Sequence, residues 1–329
     1  MTGPLVSVII PTYNRAGIIC RTIDNIFQQT YSNIELIIVD DGSTDDTLSK
    51  LRQYGSRLRV VEQSNSGPAV ARNHGAKLAH GEIIAFQDSD DLWKPTKLER
   101  QVALLEMDRS IPCCLCNVVF RVVNGKELTS FEFSQVHFDQ DESIWLNVLE
   151  VLSTRFVLFN QAAAIRREVF EKLGGFDEDL KYLEDYDLPL RLALEGPWAA
   201  IQEPLVVYQE GTPESFSQQA SKDQVVLKEC ELRIFEQMRT NVAAGNKQLG
   251  VQRHLERRLA MLRRQLWATK LTSTKSFGAS TIGRLLTQVD RYLLAAFRRS
   301  PWFPQPITVP ISRLGMSEPP SKLLQSIAL

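Results

Sequence analysis

An α/β fold built on an open, mostly parallel sheet flanked by helices is what this sequence predicts, and three observations predict it. Short, almost wholly apolar runs recur at intervals, the pattern of strands buried on both faces. Segments with helical spacing separate them, joined by short links, as in a chain that crosses over between parallel neighbours. Finally, polar and acidic clusters stand at the exits of several runs, where ligands bind in such sheets. A hydrophobic fraction of 43% supplies a core, and 23% charged residues is ordinary for a water-soluble chain.

The elements follow in order. Leu5 to Ile10 reads as the first strand, stopped by Pro11. Ile18, Ile19, Ile23, Ile26 and Phe27 repeat at helical spacing within Arg15 to Gln29. Ile34 to Val39 is a second strand ending in Asp40-Asp41-Gly42-Ser43, and Thr44 or Asp45 can cap a helix to about Tyr54. Leu58 to Val61, Gly67 to Leu78 and Glu82 to Phe86 read as strand, helix and strand. Beyond them, Trp93 to Met107 predicts an amphipathic helix. Ile111 to Val123 with Asn124-Gly125 predicts antiparallel strands around a turn, Ser143 to Leu152 a helix, and Gln161 to Ile165 a strand. Acids head a helix from Glu184 to about Leu194.

The stretch after Phe86 carries the chemistry. Gln87-Asp88-Ser89-Asp90-Asp91 places three acids within four residues at a strand exit. On extended backbone Asp88 and Asp90 point the same way and offer hard oxygen ligands to one Mg²⁺ or Mn²⁺. An acidic turn capping the next helix is the bland alternative. No Gly-x-Gly-x-x-Gly follows the first strand, and no Gly-x-x-x-x-Gly-Lys-Ser/Thr is present. Phosphate charge would therefore fall to a metal.

Five cysteines, three in Cys113-Cys114-Leu115-Cys116, have neither disulfide-ladder nor zinc spacing and read as buried thiols. The amino terminus has no signal-like core and no run is long enough to span a bilayer, so the cytosol is the expected compartment. The net charge of −1 conceals a basic carboxyl-terminal third. In Arg253 to Leu266 the residues Leu255, Leu259, Leu262 and Leu266 repeat at helical spacing between arginines, and Ile282 to Phe297 repeats the pattern before Arg298-Arg299-Ser300-Pro301-Trp302-Phe303. Such helices either pack on the α/β domain or a partner, or lie on an anionic membrane face.

Val6-Ser7-Val8-Ile9-Ile10-Pro11-Thr12-Tyr13-Asn14-Arg15 and Ile38-Val39-Asp40-Asp41-Gly42-Ser43-Thr44-Asp45 resemble the opening of family 2 inverting glycosyltransferases of the GT-A fold. Asn65-Ser66-Gly67-Pro68-Ala69-Val70-Ala71-Arg72-Asn73, the Asp-x-Asp at Asp88 and Asp90, and Gly174-Gly175-Phe176-Asp177 before Glu184-Asp185-Tyr186-Asp187-Leu188 extend the likeness over residues 5 to about 210. The resemblance implies a GT-A domain at 1–215, with a nucleotide-binding half to about 110 and an acceptor half beyond it. A mainly helical, basic extension would cover 216–329.

The same resemblance implies transfer from a nucleotide-sugar, expected to be a UDP-sugar, to a hydroxyl of a saccharide or lipid-linked acceptor. Surface polysaccharide or glycolipid assembly would be the setting, with peripheral contact on the inner membrane face through the basic helices, and no nucleic acid partner. Pro11, Tyr13, Asp40, Arg72, Asp88 and Ser89 would hold the donor, and Asp88 and Asp90 the Mn²⁺ or Mg²⁺. Asp185 would be the general base, with Glu184 and Asp187 on the acceptor side. One departure stands out: the histidine that family members often carry after Pro204-Leu205-Val206-Val207-Tyr208 is replaced by Gln209-Glu210-Gly211-Thr212-Pro213, so Glu210 is the candidate substitute ligand. A sugar nucleotidyltransferase would share sheet and metal but carry a glycine-rich loop after the first strand. An inactive nucleotide-sugar binder would have lost Asp185 or the Asp-x-Asp.

Overall fold

The computed structural model describes residues 3–121, 127–209, 222–244, 249–272 and 308–310. The parallel half of its sheet comprises β1 (Val6–Thr12), β2 (Ile34–Asp40), β3 (Arg59–Glu62) and β4 (Ile83–Phe86). They lie in the order β4-β1-β2-β3, and every neighbouring pair is parallel. Val8 to Ile10, Ile37 to Val39 and Ile83 to Phe86 are buried almost completely, as their unbroken apolar runs require when helices cover both faces. The crossovers are α1 (Ile19–Phe27), α2 (Thr47–Arg52) and α3 (Pro68–Lys77).

Beyond β4 the sheet is mixed. A short β5 (Leu92–Trp93) and α4 (Lys97–Met107) lead to β6 (Cys113–Arg121) and β7 (Glu127–Thr129). After them come α5 (Ser130–Phe133), β8 (Glu142–Trp145), α6 (Val148–Leu152), β9 (Ala163–Arg166), α7 (Arg167–Lys172), α8 (Glu184–Leu192) and β10 (Trp198–Tyr208). β9 runs antiparallel between β4 and β6, while β10 pairs β6 in parallel and β8 antiparallel. β4, β6 and β10 therefore point the same way as β1 and β2, and all their carboxyl ends share one rim.

Two predicted elements are corrected here. Trp93 does not open a helix: Leu92 and Trp93 pair with Val207 and Val206 as a strand, and the helix begins only at Lys97, after Pro95. Lys97, fully buried, lies with its ammonium 3.8 Å from the Trp93 ring centre and fixes that corner. Ser143 to Leu152 is not one helix either. Ser143, Ile144 and Trp145 pair with Ala200, Ala199 and Trp198, leaving Val148–Leu152 as the helical part. A central strand with open backbone groups outweighs local helical spacing. The strands on either side of Asn124-Gly125 are antiparallel as expected, while the turn itself lies outside the described residues. All five cysteines are free, four of them buried, and burial pushes the Cys116 thiol up to about 11.

Two further helices follow, α9 (Gln224–Ala244) and α10 (Leu249–Thr272). Ile234, Phe235, Met238, Leu255, Leu259 and Leu262 are all buried and join the same hydrophobic cluster as the sheet. The apolar stripe read from Arg253 to Leu266 thus faces protein from Leu255 through Leu262, the packing alternative of the two. Arg258 and Arg263 pair with Glu231 and Glu236 of α9. Among the described residues no helix is long and apolar enough to cross a membrane. Residues 282–303 lie outside the described residues, and so does Glu210. A last strand, β11 (Thr308–Pro310), pairs with β8.

Candidate active site

Four strand exits and two helix starts meet at the shared rim. At the end of β1, Pro11 is half-buried and Tyr13 is exposed. Asn14 is left-handed, at φ 52°, and its Oδ1 accepts from the backbone N–H of Thr44 at 2.8 Å, which ties this exit to the next. At the end of β2, the buried Asp40 accepts from the N–H of Ser43 at 3.0 Å and from its hydroxyl. Asp41 receives Gln63 Nε2 and the N–H of Ser66 and Gly67, each at 2.8 Å, and so fastens the loop before α3. That acid is structural.

Helix α3 lies close on the sheet because Gly75 has no side chain. A Cβ there would come within 2.5 Å of Ile9 Cγ2. The close approach brings Arg72, almost fully buried, to the exit of β4. Its Nη2 reaches Asp88 Oδ1 at 2.7 Å and its Nη1 reaches Glu184 Oε1 at 2.9 Å. One guanidinium therefore bridges the acidic stretch after β4 and the acids that open α8. The family resemblance implies a donor-binding role for Arg72; in the structure its charge offsets two carboxylates.

The rest of the stretch is tightly held. Ser89 gives its carbonyl to Thr22 Oγ1 at 2.8 Å. The Asp90 carboxylate is 3.9 Å from Arg15, and burial together with the Asp88 charge pushes its pKa up. Asp91 is buried, with Oδ1 accepting from the N–H of Gln209 at 2.8 Å and Oδ2 without a partner. Burial, then Asp88, pushes its pKa well up. Asp88 and Asp90 thus offer hard oxygen donors at one strand exit, and a buried oxygen of the neighbouring Asp91 has no partner. A divalent cation fits that chemistry. Among the described residues no three His, Cys, Asp or Glu side chains are grouped to enclose a metal ion.

Helix α8 opens at Leu183, a non-glycine residue held at φ 69°. Asp185 is half-buried, and its carboxyl is pushed up to about 7 by burial first and then by Glu184, with Arg72 pulling the other way. Asp187 is engaged elsewhere: Arg191 holds its Oδ2 at 2.6 Å and donates to the carbonyls of Leu173 and Gly175. Its carboxylate therefore braces the Gly174-Gly175 turn.

Asn73 is the residue that sequence reasoning missed. It sits next to Arg72 on α3, accepts from the Phe176 N–H at 2.9 Å and donates to the Phe176 carbonyl at 2.9 Å. Gly175 stands at φ 74° beneath it, where a Cβ would meet Asn73 Oδ1 at 2.5 Å. Only a contact map would reveal this pair. Asn73→Ala should orphan two buried backbone groups and destabilise the fold by about 1–3 kcal/mol, read as a lower urea midpoint at unchanged slope.

Residues 7–174, just over half the chain, match the family model described as Glycosyl transferase family 2. This chain belongs to that family. As a family 2 chain it is 33% identical over 187 residues to an uncharacterized glycosyltransferase of Rickettsia typhi, covering 56% of this chain and 58% of that protein. It is 38% identical over 154 residues to TuaG of Bacillus subtilis, a glycosyltransferase named for teichuronic acid biosynthesis, covering 46% of this chain and 61% of TuaG. The matched stretches thus span about three fifths of these relatives. Among solved structures, residues 1–349 of S. aureus TarS superpose with a TM-score of 0.60 at 20% identity, over 89% of this chain and 82% of that one. A mannosyltransferase from Pyrobaculum calidifontis, solved with GDP-Man and Mn²⁺, gives 0.56 at 24% identity, over 90% and 87%. This family 2 chain therefore has the GT-A-like fold, an α/β sheet with a helical carboxyl-terminal region.

Proposed function

We propose that the chain is an inverting glycosyltransferase that moves a sugar from a nucleotide-sugar, a UDP-sugar in first place, to a hydroxyl of a saccharide or lipid-linked acceptor. The observation that carries this reading is Asp185: a half-buried carboxyl with its pKa pushed up to about 7, one residue from the Glu184 that Arg72 joins to Asp88. A base poised near the working pH suits abstraction of a hydroxyl proton. The acceptor oxygen would bond to the anomeric carbon as the carbon–phosphate oxygen bond breaks. Its proton would pass to Asp185 and the bonding pair would leave with the nucleoside diphosphate. A single displacement of this kind inverts the anomeric centre and needs no protein nucleophile.

Pro11, Tyr13 and Asp40 would receive the base and ribose, with Tyr13 offering a ring face and Asp40 its spare lone pairs. Asp88 and Asp90 would hold Mn²⁺ or Mg²⁺, whose charge, when bound, offsets that of the departing diphosphate. The name of TuaG supports a place in cell-surface polysaccharide assembly. In this reading, peripheral membrane contact falls to charged surface and not to the buried stripe of α10. Thermal melts against a panel of UDP-, GDP-, ADP- and CMP-sugars, with and without Mn²⁺, test the proposal. A UDP-sugar at 100 times its Kd should stabilise the fold by about 2.7 kcal/mol, and more with Mn²⁺ than without. If no nucleotide-sugar shifts the melt under either condition, the proposal fails.

A further inference from the structure

We infer that the helical pair α9–α10 is the positioning device for Asp185, clamping the segment from Asp177 to Asp187 on which that carboxylate is carried. The inference rests on the proposed role of Asp185 as base. α9 packs on α8, and α10 packs on α6. The grip falls on the residue next to Asp185. Fully buried Phe235 of α9 meets the Tyr186 ring edge-on, with centroids 5.7 Å apart. Tyr186 is caught from the other side by Phe156 at 5.5 Å, and its hydroxyl donates to the Leu152 carbonyl at 3.2 Å.

Upstream the same helix takes hold of the approach to α8. Arg233 reaches Asp177 at 3.0 Å and Asp179 at 3.3 Å, and Asp223 reaches Lys181 at 2.9 Å. Between these anchors lies Leu183, in a left-handed conformation that a branched apolar residue keeps only when its surroundings impose it. α9 is itself braced by α10. Buried Glu231 is held by Lys228 at 2.6 Å and by Arg258, whose guanidinium lies 5.5 Å from the centre of the Phe235 ring. Phe235 and Arg233 therefore act through α8 and the loop before it. They are positioning residues, not catalytic ones.

Amide exchange in the full-length protein, with UDP affinity and turnover measured alongside, tests this. The amides of Tyr186 and Asp187, both bonded to the Leu183 carbonyl at 3.0 Å, are the reporters. Phe235→Ala should speed their exchange at least tenfold and leave the β2 amides unchanged. UDP affinity should stay within twofold, and turnover should drop at least tenfold at unchanged donor KM. Arg233→Gln opens no core cavity and covers the case in which Phe235→Ala fails to fold; it should move the same readouts the same way by a smaller factor. The clamp is overturned if α8 exchange stays at the wild-type rate in every folded variant. It is equally overturned if exchange rises uniformly across the sheet. Should Asp185→Asn prove fully active, the base assignment alone has failed, because exchange still reports on the clamp.

Discussion

Asp185→Asn is expected to cut sugar transfer by about 10²–10⁴-fold, the usual contribution of a positioned general base. Size and most hydrogen bonding are kept, but the amide cannot take the acceptor's proton. UDP binding should change little, since the residue stands on α8 and the proposed donor contacts lie at the ends of β1, β2 and β4 and at Arg72 of α3. In the wild type, turnover should rise with pH and level off above about 7, and the variant should lack that rise. Loading the site with a divalent cation would offset the Asp88 charge and move the rise to lower pH.

Stability should respond in the opposite sense. The folded carboxyl titrates at about 7 against an ordinary value of 3.8, so between these pH values the native state holds a proton that the unfolded chain has shed. Stability therefore falls as pH rises across that window, and above it the buried charge costs the fold most. Asp185→Asn should melt higher than wild type at pH 8 and near wild type at pH 4. A variant that loses activity and stability together at pH 8 would point to a structural role for this carboxyl.

How much of this could be read from the sequence depends on whether a feature is local. β1, β2 and β4 of the parallel half were legible because burial on both faces leaves an unbroken apolar run. Acids at a strand exit and at a helix start were legible for the same reason, since spacing alone sets their direction. Ser143 to Leu152 was misread because its strand character comes from pairing with Trp198 to Ile201, far along the chain. The partners inside the site are more distant still. Arg72 meets Glu184 across 112 residues, Asn73 meets Phe176 across 103, and Asp91 meets Gln209 across 118. The stripe on α10 was legible as amphipathic, but periodicity does not say what an apolar face will cover.

Asp90→Ala is the second large effect expected, a fall in metal-dependent turnover of about 10³-fold, the equivalent of several kcal/mol of lost charge stabilisation. The motive is the run of acids after β4. Arg72 partners Asp88 at 2.7 Å and Asp91 is tied to Gln209, whereas the Asp90 carboxylate meets Arg15 only at 3.9 Å and so is the acid more loosely held. Because burial and the Asp88 charge push the Asp90 carboxyl up, its charge is disfavoured in the fold, and removing it should leave the fold as stable or slightly more so at neutral pH. Loss of activity would then trace to the site and not to unfolding. Mn²⁺ titration followed by electron paramagnetic resonance gives a readout independent of turnover: wild type should bind one ion more tightly when UDP is present, and Asp90→Ala should lose that gain. Retention of full turnover by the variant in excess chelator would remove the metal from this reading and leave Arg15 and Arg72 to offset the diphosphate charge.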